Sequence, residues 1–267
     1  VDPAGIRQFI AASKKAKKKG LYLVAGTQRR HQKEYIETIK RIHDGAIGEI
    51  RSLRAYWCGG LPWARDRQPG QSDLEYCIRN WYGLCWMCGD NIVEQHVHNL
   101  DVCNWVMGGP PKAVFIGSGG RTWKPPEEKF GDIYDHFSCE YVYETDFGDV
   151  FMSSFSRHWS KSAGGVFEDI IGTKGRSNGI RIGDWKAERG ISAYVQEHID
   201  LVASITGTGP YLNEGVQVAE STMTAIMGRM AAYTGQRYTF KGALNEDLDI
   251  VPKDLSFDKK YPVGPVP

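Results

Sequence analysis

No apolar run in the 267 residues approaches the roughly 20 that a membrane-spanning helix needs, and no secretory leader pattern is present. An excess of one charge is also missing: 33 Lys plus Arg face 32 Asp plus Glu, a net of +1. That balance gives no electrostatic reason to expect a nucleic-acid partner, and neither nucleic acid nor membrane is expected here. Cysteine is scarce. Six residues (Cys58, Cys77, Cys85, Cys88, Cys103, Cys139) are too few for a disulfide scaffold in a chain of this length. Most stand among apolar neighbours, so reduced, buried thiols are expected. The compartment, cytoplasm or bacterial periplasm, stays open.

What is present is an ordinary globular composition. Hydrophobic residues make up 41% and aromatics 12%, including 8 Trp and 13 Tyr, which excludes disorder and leaves material for one large core. The chain starts with Asp2-Pro3, a helix start, followed by Ile6, Phe9, Ile10 and Ser13 along one face up to Gly20. Leu21 to Ala25 is continuously apolar, the pattern of a buried parallel strand. Thr27 to His31 then lead into a helix carrying Tyr35, Ile36, Ile39 and Ile42. Helix, strand, helix is the texture of a doubly wound unit, in which ligands bind beyond the carboxyl ends of strands. Arg29, Arg30 and His31 are therefore candidates to face a ligand, with solvated loop residues the competing reading. The five lysines between Lys14 and Lys19 read as a solvated helix end.

From Glu49 the texture is β. Glu49–Cys58, Tyr134–Tyr143, Asp149–Phe155 and Val166–Gly172 read as strands, and short turns such as Asp146-Phe147-Gly148 argue for antiparallel neighbours. Helices are expected over Ala193–Thr206 and Gly215–Thr234, with an extended tail from Asn245. The fold class is α/β (α+β): a large, mostly antiparallel open sheet flanked by helices and preceded by a helix-strand piece. No internal repeat is found.

The stretch richest in chemistry is Gly89 to Gly109, GDNIVEQHVHNLDVCNWVMGG. A helix from Asn91 would place Glu94, His98, Asp101 and Trp105 on one face. A carboxylate one turn from a histidine can fix its tautomer and raise its basicity, which suits a general base removing a hydroxyl proton. Two bland readings stand beside it: Glu94 as the far member of a capping box with Asn91, and His98 as a satisfied buried histidine. A rival is a structural zinc on Cys85, Cys88, His96 and His98. Against it, the two histidines of a helix would point to nearly opposite sides, and Asn80 to Trp86 reads as a buried strand. Trp81 and Tyr82, with Trp63, Trp86, Trp105, Trp123 and Trp159, are candidate platforms for sugar rings, core packing being the default.

Together these segments resemble the C-terminal part of the glucose–fructose oxidoreductase / inositol dehydrogenase / MocA oxidoreductases. The resemblance is carried by the opening helix-strand segment, by HDGAIGEIRSLRA, by GDNIVEQHVHNLDVCNWVMGG, and by the closing YVQEHIDLVASI and NEGVQVAESTMTAIMGRMAAYTG. It implies that His98 matches the family's catalytic histidine, Glu94 the acid four residues before it, and Asp101 the aspartate near the substrate. It also implies an NAD- or NADP-dependent oxidoreductase acting on a sugar or polyol hydroxyl, and homo-oligomers formed through the sheet face. Two departures are Glu94 where many members carry Asp, and His96 where a small residue is usual. The family's G-x-G-x-x-G fingerprint and its Glu-Lys-Pro motif are both absent from these residues. The expectation is therefore residues 1–30 as the residual end of a Rossmann domain and 31–267 as a substrate-binding and oligomerisation domain. The cofactor would be bound by the parent enzyme and not by this chain alone, which would be inactive. A non-catalytic carbohydrate-binding or scaffold module is the alternative.

Overall fold

Asp2 starts the first helix, as its place before Pro3 predicts. In the computed structural model, which describes residues 1–261, its Oδ1 accepts the Gly5 N–H at 2.7 Å and α1 runs Pro3–Lys18. Leu21–Ala25, expected as a buried strand, joins no sheet. It makes one parallel bridge, Leu23 with Asn213, and Leu21 is 53% exposed. An apolar strand of this kind is buried only when a sheet and its covering helices close over it, and here its one bridge is to the segment before the long C-terminal helix. Residues Gln28–His31 form a single 3₁₀ turn. α2 (Lys33–His43) then buries Tyr35, Ile39 and Ile42 while Ile36 faces outward.

The sheet is built from β1 (Ile50–Gly59), β2 (Ala113–Gly120), β3 (His136–Thr145), β4 (Gly148–His158) and β5 (Gly165–Gly172). Four two-residue strands complete it: β6 (Arg176–Ser177), β7 (Arg181–Ile182), β8 (Trp185–Lys186) and β9 (Tyr238–Thr239). Among the described residues the order is β8-β7-β6-β5-β1-β4-β3-β2-β9. Every neighbour pair is antiparallel except β1 with β4, which run parallel with Trp57 beside Ser156 and Gly59 beside His158. β2 is the strand that sequence reading misses, because Gly117, Gly119 and Gly120 mask it. Its glycine has a packing reason: a Cβ on Gly117 would lie 2.7 Å from the Ala232 backbone nitrogen.

One face of the sheet is covered by α6 (Val97–Met107) and α8 (Gly215–Thr234), with α1 against α8. Met223, Ile226 and Met227 of α8 are wholly buried with Leu53, Tyr141, Met152 and Ile170. Each contributes about 1.5–3 kcal/mol, which fixes α8 on β2 and β3. Gly228 permits this approach, since a Cβ there would lie 2.0 Å from the Tyr141 hydroxyl. The other face is open and carries Ile116, Phe151, Phe155 and Phe167 at its surface. α7 (Ala193–Thr206) also leaves an apolar side uncovered, with Tyr194, Val195, Ile199, Val202 and Ile205 exposed.

Between β1 and β2 the chain forms α3 (Asp73–Arg79), a 3₁₀ turn over Trp81–Gly83, α4 (Cys85–Cys88) and α5 (Asn91–Glu94). The strand expected over 80–86 is thus a pair of short helical turns. After α9 (Phe240–Asn245) the tail runs on in extended and turn conformation, seating Tyr261 against Trp86 at a ring separation of 6.3 Å. The remainder of the expected strap, residues 262–267, lies outside the described residues.

Candidate active site

Gly89 and Asp90 set the entrance to the motif-bearing helices. Both have positive φ, 81° and 77°, so the chain reverses there at a non-glycine residue, a strained arrangement that needs support. The support is a buried carboxylate: Asp90 accepts from Asn91 N–H at 2.6 Å, Tyr134 N–H at 3.0 Å and the Tyr233 hydroxyl at 2.5 Å. Burial raises its pKa against those hydrogen bonds. Asp90, not Asn91, is the N-cap of α5.

The helix expected to run unbroken from Asn91 is interrupted. α5 ends at Glu94 and α6 begins at Val97, with His96 N–H reaching back to Asn91 O at 3.3 Å across the break. The one-turn geometry that would set Glu94 beside His98 is lost with it. The Glu94 carboxyl lies instead beside the Tyr82 hydroxyl, and burial raises its pKa. His98 stacks on the Trp57 indole at 5.7 Å, with Nδ1 buried and unpartnered. Its pKa is lowered to about 4, by burial first and by the Arg29 charge second, with Asp101 opposing. The sequence argument for a carboxylate-raised histidine is therefore corrected: this imidazole is neutral because it is buried beside a cation.

Arg29, Arg30 and Asp101, expected to face a ligand, are taken up internally. Arg29 pairs with the buried Glu168, which also accepts from the Tyr35 hydroxyl at 2.9 Å and Asn99 at 2.5 Å. Burial pushes the Glu168 pKa up, against Arg29. Arg30 grips Asp101 with two bonds of 2.9 Å and lies over Trp105 at 4.9 Å, while Ser221 donates to Asp101 at 2.7 Å. These pairs pin the 28–31 turn to α6, β5 and α8. His31 is likewise held, with Nδ1 2.7 Å from Asp200 and Nε2 3.1 Å from Glu214.

The proposed zinc set is not brought together. Cys88 Sγ accepts from Asp90 N–H at 3.2 Å, Cys85 lies against Arg229 and Tyr233, and His96 Nε2 is 2.8 Å from Ser154 Oγ. Among the described residues no three His, Cys, Asp or Glu side chains are grouped to hold a metal ion.

The structure brings Tyr82 together with Glu94 and with a residue the sequence did not single out, His158, while His98 lies against Trp57 of β1. His158 ends β4 on the helix-covered side, with its ring 5.9 Å from that of Tyr82 and Nε2 3.4 Å from Gln95 Oε1. Burial, then Lys124, lowers its pKa to about 3. Tyr82 OH, Glu94 Oε2, His98 Nδ1 and His158 Nδ1 are all buried without a hydrogen-bond partner, an uncommon concentration. Beside them Trp63 packs on Trp81 and Tyr82 at 5.8 and 5.7 Å, with Trp63 and Trp81 still 43% and 38% exposed. Lys124 is a second unforeseen group. It is buried with Nζ donating to Tyr134 O at 3.3 Å, and burial lowers its pKa to about 8. No local pattern marks either residue, because a strand end and a loop bring them in from far along the chain. Clefts of about 570 Å³ on α7 and about 490 Å³ on the open sheet face are not lined by His98.

No family model and no curated protein matches this sequence. Solved structures do. An aldose-aldose oxidoreductase from Caulobacter crescentus, crystallised with glycerol, aligns over 89% of this chain and 69% of its own, with TM-score 0.65 and 19% identity. The WlbA dehydrogenase from Bordetella pertussis, in complex with NADH and UDP-GlcNAcA, aligns over 88% and 68%, with TM-score 0.63 and 18% identity. A myo-inositol 2-dehydrogenase from Lactobacillus plantarum aligns over 85% and 68%, with TM-score 0.59 and 16% identity. The chain has the fold of the glucose–fructose oxidoreductase / inositol dehydrogenase / MocA-type oxidoreductases.

Proposed function

We propose that this chain is the substrate-binding part of an NAD(P)-dependent oxidoreductase that interconverts a sugar or polyol hydroxyl and its carbonyl. The observation that carries the reading is the buried, unpartnered atoms of Tyr82, Glu94 and His158 at the end of β4, with the unpartnered His98 Nδ1 beside Trp57 near the end of the neighbouring parallel strand β1. A polyhydroxylated ring offers donors and acceptors to several such atoms at once, and Trp63 and Trp81 offer it apolar ring faces. The fold shared with structures crystallised with glycerol, NADH and a nucleotide sugar supports the same class.

His98 is the general acid/base: neutral at physiological pH, it accepts the hydroxyl proton in oxidation and returns it in reduction. Glu94 and Tyr82 position neighbouring hydroxyls. Arg29 and the Arg30–Asp101 pair act behind them by holding α6 in place. A nicotinamide would supply the hydride exchange. The residues of this chain do not make its cradle: no G-x-G-x-x-G turn is present, and Leu21–Ala25 has a single bridge where a dinucleotide-binding sheet would lie. Residues 1–30 are accordingly proposed as the end of a Rossmann domain, with this chain alone binding NAD(P) weakly or not at all. The open sheet face is proposed to pair copies of the protein.

The test of His98 is steady-state turnover of sugar alcohols by the complete enzyme carrying His98→Asn, with a loss of at least about 100-fold expected. Unchanged turnover overturns the assignment. The exposed Trp63–Trp81 cluster favours one second reading, a carbohydrate-binding module without catalysis. It would stand if the complete protein bound sugars but oxidised none in the presence of nucleotide.

A further inference from the structure

Lys124 is a buried cation to which the reading above gives no task. It is 7% exposed, and among the described residues its Nζ makes one hydrogen bond, the 3.3 Å donation to the Tyr134 carbonyl. An ammonium carries three protons, so two are unspent where an unmade bond is costly. The carboxylates around it are already engaged. Asp90 accepts from Asn91, Tyr134 and Tyr233. Asp135 accepts N–H bonds from Thr122, Trp123 and Lys124 itself at 2.7, 2.5 and 3.0 Å, and its other oxygen takes His136 Nδ1 at 2.6 Å. The neighbouring cation, Arg121, donates to the carbonyls of Phe130, Ile133 and Pro125. Burial lowers the Lys124 pKa only to about 8, because the Asp90 charge opposes it. The side chain is an ammonium at neutral pH.

Asp135 also ties this lysine to His158, whose backbone N–H donates to the Asp135 carbonyl at 2.7 Å. The Lys124 charge reaches the imidazole, where it adds to burial in keeping the ring neutral. The two ring nitrogens then have different roles. Nε2 faces the Gln95 amide oxygen at 3.4 Å and so carries the proton, while Nδ1 is buried without a partner and presents a lone pair. Unspent protons on one side chain and an unspent lone pair on the other are complementary to a hydroxyl, which accepts and donates at once. An ether or carbonyl oxygen satisfies only the first.

We propose that Lys124 and His158 together read one hydroxyl of the substrate, which makes Lys124 a specificity-determining residue. This rests on the sugar or polyol reading given above. The hydroxyl oxygen accepts from Lys124 Nζ, its proton is donated to His158 Nδ1, and no covalent bond changes. His158 points to the helix-covered side of the sheet, and Lys124 lies toward Asp90 and Cys88 there. Pairing of copies through the opposite face leaves both available. A sugar without this hydroxyl strands two buried groups, which a site of this kind rejects.

The experiment is calorimetric titration of the complete protein with D-glucose and with myo-inositol, each beside its monodeoxy counterparts. The wild type is compared with Lys124→Met and His158→Phe. Methionine keeps the length of the lysine stem and removes a buried charge that lacks an ion pair, so folding should survive. The wild type is expected to bind at least one parent sugar and to lose at least about tenfold for one of its deoxy forms. In both variants that difference should shrink below about twofold, with the parent sugar weakened to the level of the deoxy form. A purely structural role would weaken all the sugars equally, and that result overturns the proposal. So does a wild type that does not discriminate, or a discrimination that persists in both variants. If the wild type binds neither parent sugar, the sugar or polyol reading falls with it, which separates the two failures.

Discussion

Two histidines of this molecule differ in almost everything except their residue type. His31 sits between Asp200 and Glu214, and its pKa is raised to about 9, chiefly by the hydrogen bond to Glu214 against the cost of burial. His98 is buried without an acid in contact and near Arg29, and its pKa falls to about 4. One is a cation that ties segments together, and the other is a neutral base with a free nitrogen. Yet by sequence it was His98 that had an acid four residues away, while the acids of His31 lie more than 160 residues downstream. Spatial pairing decides the charge state.

The largest effect on this contrast is expected from Arg29→Met. It strands the buried Glu168 carboxylate and removes about 3–5 kcal/mol in urea unfolding. In the same variant the His98 imidazole, followed by NMR, titrates at higher pH than in the wild type, because the nearby cation is gone. An unchanged titration would mean that burial alone sets the value.

Next in size is the acid limb. A neutral buried histidine with a lowered pKa contributes stability above its unfolded value of 6.5, which is lost as pH falls toward about 4. The wild type should therefore lose stability below pH 6.5 more steeply than His98→Asn, as measured by unfolding midpoints. Parallel curves would refute the neutral assignment.

His31 gives the opposite limb. Its raised pKa contributes stability that is complete below 6.5 and lost as pH rises through about 9. Asp200 is partly open to solvent, 34% exposed, which screens the pair. The expected cost of His31→Gln at neutral pH is then about 1–2 kcal/mol, with the wild-type and variant curves converging above the folded pKa. The smallest effect is expected from Trp81→Ala. On a 38% exposed ring it should change stability by no more than about 0.5 kcal/mol while weakening sugar binding measurably, and equal affinity would remove the ring from the site.

The β-strands with alternating patterns were legible, as were α1 and the two long C-terminal helices, because each carries its own period or cap. Tyr134–Tyr143 shows why: Phe137, Cys139, Tyr141 and Tyr143 alternate and are all buried. β2 was not legible because Gly117, demanded by the close approach of α8, and the neighbouring glycines erase its pattern. The break between Glu94 and Val97 was not legible either, since nothing in Gln95-His96 is a helix breaker. Tertiary packing, with His96 drawn down to Ser154, overrides the local preference. The candidate site was half readable for the same reason. His98 and Glu94 stand in one motif-rich stretch with Tyr82 a little before it, whereas His158 reaches Tyr82, and Lys124 reaches His158, only through the fold.

β1 lies at the middle of the sheet, yet both its neighbours, β4 and β5, follow it by about a hundred residues. During synthesis the central strand must therefore wait, unpaired and largely apolar, until most of the chain has left the ribosome. High contact order of this kind slows folding and exposes an aggregation-prone edge. Expression of versions truncated before Gly148, which leave β1 without either neighbour, should accordingly yield insoluble material.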